Sequence, residues 1–379
     1  MNDTNVTSGI FPIDETEQLE PDLAEVVIHR IQMYYTPVLV YLGALGNCLS
    51  VCVFFNSKLR KLSSSFYLAA LAISDTGFLV SLFVVWLNMV DVGLFNRQGF
   101  CQFFIFLTTL CSFLSVWFVV AFTVERFVAV QYPLRRQSMC TVTRAKAVLV
   151  GLTVLGVTLC SPVLWFSSPQ PPTEKHNVTL CNLAEEWEEW ANVFNVADTV
   201  LTFILPFSVI VVLNSLIARA VWRLAGVRRT MTVTGRRVKR PQMSNGQNQR
   251  PATSQTKVTK MLLVVSTAFL CFNLPAYVMR LYAFFGGDSD RMTVILQHVC
   301  NLLFHTNFGI NFALYCVSGQ NFRRAVGHML CPRPRRRHDT TQVTMSEYVR
   351  SSGSLSRRRT VTMNGSWRDA HELHAMSQK

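Results

Sequence analysis

Charge is scarce in this chain. Aspartate, glutamate, lysine and arginine make up only 15% of its 379 residues, against about 25% in an ordinary soluble domain. Between Gln102 and Val124 there is none. The eleven cysteines form no Cys-x-x-Cys pair and no Cys/His cluster at metal-ligand spacing, which excludes a metal-binding module of that kind. There is no strong glycine-rich phosphate loop, and no nucleophile is paired with a base. Nothing in the sequence points to an enzyme. It has no basic start followed by a short apolar core, so no cleavable signal peptide is expected. Acid is missing from Arg219 to Lys260, where eleven Lys or Arg stand.

What is present is hydrophobic length. Half of the residues are hydrophobic. Apolar spans occupy about residues 32–55, 64–90, 98–131, 142–166, 191–224, 256–285 and 293–317, each long enough for the ~20-residue crossing of a bilayer by a helix. The fold class expected is an all-α membrane protein. A seven-transmembrane-helix bundle fills residues 32–318, in place of the two or three soluble domains that the length would allow. Residues 225–255 are rich in Gly, Pro, Asn and Gln and read as a flexible loop. Residues 319–331 suit a short amphipathic eighth helix lying on the membrane.

The charges that exist are sorted by side. Residues 1–31 hold seven acids against one Arg, and the segment from Ser167 to Trp190 carries Glu174, Glu185, Glu186, Glu188 and Glu189 against Lys175. Lys58, Arg60 and Lys61, then Arg135, Arg136, Arg144 and Lys146, then the eleven cations from Arg219 to Lys260, mark the other side. Basic loops stay cytoplasmic, so the N-terminus is expected outside a plasma membrane and the C-terminus inside. Glycosylation sequons at Asn2, Asn5 and Asn177 all fall outside; one at Asn364 falls inside and should stay bare. The formal charge of +14 is therefore an orientation signal, and no nucleic acid is implied. Its secondary reading is contact with anionic lipid of the bilayer or with a cytoplasmic partner.

The third span ends in an adjacent acid and base, Glu125 and Arg126. Charge at that depth is costly and marks a functional site, unless both side chains simply snorkel to the headgroups. Cys101 stands at the far end of the same span, and Tyr132-Pro133 follows the pair. With Cys101, Glu125-Arg126-Phe127 and Tyr132-Pro133 in this order, the chain resembles the rhodopsin-like G-protein-coupled receptors over residues 32 to 331. In that family the outer cysteine of the third helix bonds the second outer loop, which here offers Cys181. An extracellular pair is expected to be oxidised.

The resemblance implies further roles. Asp75, alone in mid-span, must find partners or stay protonated. Asn47, Ser115, Asn307 and Asn311 match the positions that surround a sodium ion in the family; a purely structural hydrogen-bond network is the alternative. The resemblance assigns G-protein coupling and activation to Glu125, Arg126, Asn214, Asn311 and Tyr315. Several positions depart from the family pattern. Phe312 replaces the proline of Asn-Pro-x-x-Tyr, which removes the expected kink. Asn273 replaces the sixth-helix tryptophan, and its amide can join the polar network beneath the ligand pocket. Asn214 stands where a tyrosine is usual, and Leu152 lies near the place of the fourth-helix tryptophan. These combinations resemble an invertebrate neuropeptide-receptor branch, CNMamide-type receptors among them.

Thr108 occupies the place of the aspartate that holds amines, so an amine ligand is not expected. No Lys lies in the outer half of the seventh helix, which excludes an opsin. Pocket candidates are Thr108, Asp198, Asn273, Arg280, Asn301 and His305. Asp198 either faces the pocket or is satisfied by a neighbouring helix. The acidic outer face would concentrate a cationic ligand, so a secreted basic or amidated peptide is the expected ligand and a heterotrimeric G protein the inner partner. A lipid ligand fits that acidic face poorly. A transporter would need repeated halves or several intramembrane charges, and neither is evident. Cys331 is a palmitoylation candidate. Residues 332–379 read as a disordered cytoplasmic tail whose Thr340, Thr341, Thr344, Ser351, Ser352, Ser354 and Ser356 suit phosphorylation and arrestin binding. No cofactor is expected beyond an allosteric sodium ion.

Overall fold

The computed structural model describes residues 23–170, 179–235, 250–286 and 290–330. The sequons at Asn2, Asn5 and Asn177, the tail with Cys331, and the side chain of Gln255 lie outside them.

Eight helices carry the architecture. They are α1 (Leu23–Asn56), α2 (Ser63–Trp86), α3 (Phe100–Gln131), α4 (Val142–Cys160), α5, α6 (Arg250–Phe284), α7 (Arg291–Ser318) and α8 (Gln320–Leu330). The fifth runs as Glu188–Thr199, a π-helical turn at Val200–Ile204, and Leu205–Gly235. Hydrocarbon offers no partner for a backbone amide, so a spanning segment must satisfy its own, and a helix does so. Six of these helices are long and apolar enough to cross a membrane. The seventh, α7, falls short of that apolarity because it carries His298, Asn301, His305, Asn307 and Asn311. Those residues form the polar lining described below. Between α4 and α5 a hairpin adds the one piece of sheet among the described residues, β1 (Ser167–Gln170) antiparallel to β2 (Leu180–Leu183), with Pro169 opposite Cys181.

Three boundaries differ from the sequence reading. The first helix starts at Leu23 rather than Gln32, inside the segment read as the extracellular N-terminus. The flexible loop expected at 225–255 is helical at both ends, since α5 runs to Gly235 and α6 begins at Arg250. Loop composition is a property of the middle of that segment; Leu224, Ala225, Arg228 and Arg229 are ordinary helix formers.

Helix α3 is the axis of the bundle, burying Phe113, Leu114, Val116, Phe118, Val119, Val120 and Phe122 against its neighbours. Lipid is as apolar as leucine, so helices associate through close packing and small residues. The α1–α7 seam shows this. A methyl on Gly43 would lie 2.8 Å from the Gly309 backbone and from Leu79, and one on Gly46 would lie 2.9 Å from Phe312. The phenylalanine that replaces the usual proline is thus accommodated by a glycine opposite.

The π turn in α5 has a local cause. In its register the amide of residue 206 would bond the Leu201 carbonyl, but residue 206 is proline and has no N–H. The indole Nε1 of Trp117 on α3 donates to that carbonyl instead, at 3.1 Å. At the far end, α8 closes on the bundle. Phe322 is buried against Phe54, Phe312 and Tyr315, and Arg323 donates to the Cys316 and Val317 carbonyls at the end of α7.

Candidate functional site

Three polar stations lie along the bundle. At the end bearing Cys101, a disulfide joins Cys101 to Cys181, and the Cys181 amide donates to Asn96 Oδ1 at 3.1 Å. The hairpin is thereby fixed to the top of α3. Beneath it, Arg280 on α6 pairs with Asp198 on α5 at 2.9 Å. Asp198 thus meets a neighbouring helix, through an arginine rather than an Asn or Thr, and that arginine is itself one of the pocket candidates. Asn195, which the sequence does not single out, accepts a second bond from Arg280 at 3.1 Å. Thr108 donates to the Phe104 carbonyl of its own helix. His305 packs at a tilt against the rings of Phe78 and Phe304, and Asn301 is half-buried on the same helix.

The middle station is Asp75, fully buried. Its Oδ1 accepts from Ser115 at 2.8 Å and its Oδ2 from Asn311 at 2.7 Å. Two of the four expected partners therefore bind it directly. Asn47 instead donates to the Phe308 carbonyl at 3.0 Å, tying α1 to α7. Asn307 accepts through its carbonyl from Asn311, as residues four apart on a helix should. Asn273 does not join this network among the described hydrogen bonds. Its amide donates to the Phe269 carbonyl one turn back, because a buried amide in mid-helix can reach that carbonyl without a second helix.

Several buried polar atoms near this axis have no partner among the described residues: Asn47 Oδ1, Asn307 Nδ2, Tyr315 Oη and Asn214 Oδ1. An orphaned carbonyl oxygen and a carboxylate with lone pairs left over are hard donors of the sort a sodium ion takes. Asp75, Ser115 and Asn47 Oδ1 fit such an ion; the Asn307 amide nitrogen does not.

The third station is the Glu125–Arg126 pair, 8% and 6% exposed. Snorkelling is ruled out by that burial. Glu125 Oε1 accepts from Ser63 at 3.0 Å and Ser64 at 2.9 Å on α2. Arg126 Nη2 donates both to Glu125 and to Ser64, and the guanidinium lies 5.8 Å from the Phe122 ring. Its Nε is buried without a partner among the described residues. Asn214 on α5 donates to Ser266 on α6 at 2.8 Å. Just beyond the pair, Cys140 sits half-buried with its carbonyl bonded by Ser63, and burial raises its thiol pKa. The sequence reading missed Ser63, Ser64 and Ser266. The one available signal was the run Ser63-Ser64-Ser65 at the start of an apolar span, opposite the charged end of the third.

A charge pair at one mouth, a buried carboxylate in the middle and a disulfide-pinned hairpin at the other form the arrangement that the resemblance to the rhodopsin-like receptors implies. The sequence agrees. The family described as 7 transmembrane receptor (rhodopsin family) matches residues 46–315. Somatostatin receptor type 4 of Rattus norvegicus is 28% identical over 337 residues, covering 87% of this chain and 82% of that receptor. Growth hormone secretagogue receptor type 1 of Homo sapiens is 29% identical over 316 residues, covering 77% of this chain and 78% of that receptor. The FMRFamide receptor of Drosophila melanogaster is 24% identical over 359 residues, covering 86% of this chain and 61% of that receptor. The chain belongs to the rhodopsin family of seven-transmembrane receptors. It is a multi-pass membrane protein of a receptor family, not of an enzyme family.

Proposed function

We propose that this receptor binds an extracellular peptide and passes the event to a heterotrimeric G protein, with its N-terminus outside the plasma membrane and its C-terminus in the cytoplasm. The observation that carries the reading is Arg126. A guanidinium buried at the inner end and held by Glu125 and Ser64 is poised to change partners when the helices move. Ligand binding outside would shift the population toward a form in which that group meets a protein partner, by as much as the ligand prefers that form.

The ligands for which the relatives are named support a peptide: somatostatin, a growth hormone secretagogue and FMRFamide. The acidic outer segments favour a basic or amidated one, and the distribution of basic loops supports the orientation. Sodium in the middle station, held by Asp75 with Ser115 and Asn47 and stabilising the resting form, belongs to the same proposal. So do palmitoylation of Cys331 and arrestin binding to the phosphorylated tail. The test is a screen of synthetic peptides on cells displaying the receptor, read by calcium and cyclic AMP. Activation by a lipid extract but by no peptide would overturn the peptide reading.

A further inference from the structure

The outer charges Asp198 and Arg280 neutralise each other, and this restricts what a ligand can be. Arg280 Nη1 donates to Asp198 Oδ2 at 2.9 Å and Nη2 to Asn195 Oδ1 at 3.1 Å. Asn195 and Asp198 lie three apart, on one face of α5. The Arg280 side chain is 27% exposed and that of Asp198 15%, so the pair is largely desolvated yet reachable. It is not turned out to lipid: Asp198 on α5 is bonded by Arg280 from α6, so the pair bridges two neighbouring helices. Oδ1 of Asp198 accepts nothing among the described residues, and Arg280 retains unused donors beyond the two given. An open acceptor and open donors thus stand side by side with no net charge.

A lone anion placed there would gain Arg280 and meet Asp198. A lone cation would gain Asp198 and meet Arg280. Removing either partner from the other leaves a desolvated charge uncompensated, which is costly. A neutral group with one acceptor and one donor avoids both problems. A primary carboxamide is such a group: its oxygen accepts from Arg280, its nitrogen donates to Asp198, and the ion pair stays closed.

We infer that Asp198 and Arg280 together read a terminal or side-chain carboxamide of the ligand and discriminate against the corresponding carboxylate. This rests on the peptide reading above and names the chemistry of one end of that peptide. Asp198 is the discriminating residue, because it is the group a carboxylate would face.

The experiment uses the full-length receptor in cells and a peptide library in which every member is made as the C-terminal amide and as the free acid. The expected result is a ~10- to 100-fold potency advantage for the amide of the activating peptide, the scale set by a like charge brought against a buried one. Asp198→Asn should lower that ratio to within a few-fold of one. A purely structural pair would weaken both forms alike and leave the ratio where it was. Surface expression is measured for each variant, and Arg280→Lys, which keeps the charge but loses the fork, should weaken the amide while retaining discrimination. Equal potency of amide and acid on the unaltered receptor overturns the inference, as does an unchanged ratio in Asp198→Asn. Activation by no peptide of either form overturns the peptide reading, and this inference with it.

Discussion

At the scale of single residues, the inner charge pair is held by hydroxyls. Glu125 takes two serine donors from α2, and Ser64 also accepts from Arg126. A hydrogen bond to a charged group contributes about 1.5–3 kcal/mol, but only the part lost on activation shifts the resting equilibrium. Ser64→Ala should therefore raise ligand-free G-protein turnover several-fold. Glu125→Gln should raise it too, and the double variant should add little, since both changes act on one network. Ser81→Ala is the control, because that hydroxyl serves only its own helix through Gly77. Turnover at matched surface expression decides it; Ser64→Ala at the unaltered level removes the clamp from the account. Asp75 makes a second residue-scale case. Asp75→Asn keeps the shape of the site and removes the anion, so agonist affinity should cease to depend on sodium concentration. Radioligand competition with sodium exchanged for N-methylglucamine measures this. A sodium response that persists in the variant would assign the ion to some other place.

At the scale of elements, the α1–α7 seam should be the least forgiving surface of the bundle. A methyl on Gly43 meets backbone at Gly309 as well as Leu79, whereas one on Gly309 meets chiefly the flexible end of Leu39 at 2.7 Å. Overpacking costs about 1–3 kcal/mol, and backbone yields less readily than a leucine methyl. Gly43→Ala should lower the melting temperature of detergent-solubilised receptor more than Gly309→Ala does. Gly151→Ala, with nothing within 4 Å, should leave it alone or raise it slightly. The reverse ranking of Gly43 and Gly309 would mean that the helices separate freely there. This seam was only half legible in the sequence. The missing proline at Phe312 was plain to read, but which glycine makes room for its ring depends on how two distant helices meet.

The same limit explains the stations. Cys101 with Cys181, and Asp75 with Ser115 and Asn311, could be read because each pairs residue types with few other options in that setting. Hydroxyls have an option everywhere in a helix. Ser50, Thr76, Ser81, Thr108, Thr109 and Thr123 each donate to a carbonyl three or four residues back, while Ser63, Ser64 and Ser115 cross to another helix. Nothing local separates the two groups. Asp198 and Arg280 were each visible as pocket candidates, yet their union was not, because it needs the relative rotation of α5 and α6.

At the scale of the whole molecule, the question is what keeps α6 in its resting place. No acid occurs between Arg219 and Lys260, so no carboxylate on the inner half of α6 can bond Arg126. Among the described residues an inner tie between α5 and α6 is neutral, from Asn214 to Ser266, and Ser266 in turn donates to Leu262 of its own helix. Such a bond contributes about 1 kcal/mol, a several-fold change in population. Asn214 has no second bond to fall back on, since its Oδ1 is already buried without a partner. Ser266→Ala should thus raise ligand-free turnover, and Ser266→Thr, which keeps the hydroxyl, should not. Gln255→Glu should act in the opposite direction by giving the inner segment of α6 an acid, a candidate partner for Arg126, the one cation in the α3 sequence. Two opposite shifts from two positions on one helix would place the resting balance in the polar ties of α6. Unchanged turnover in both variants would leave the packing of Met261, Leu262 and Val265 against Tyr315, Phe122 and Ile217 as what holds that helix.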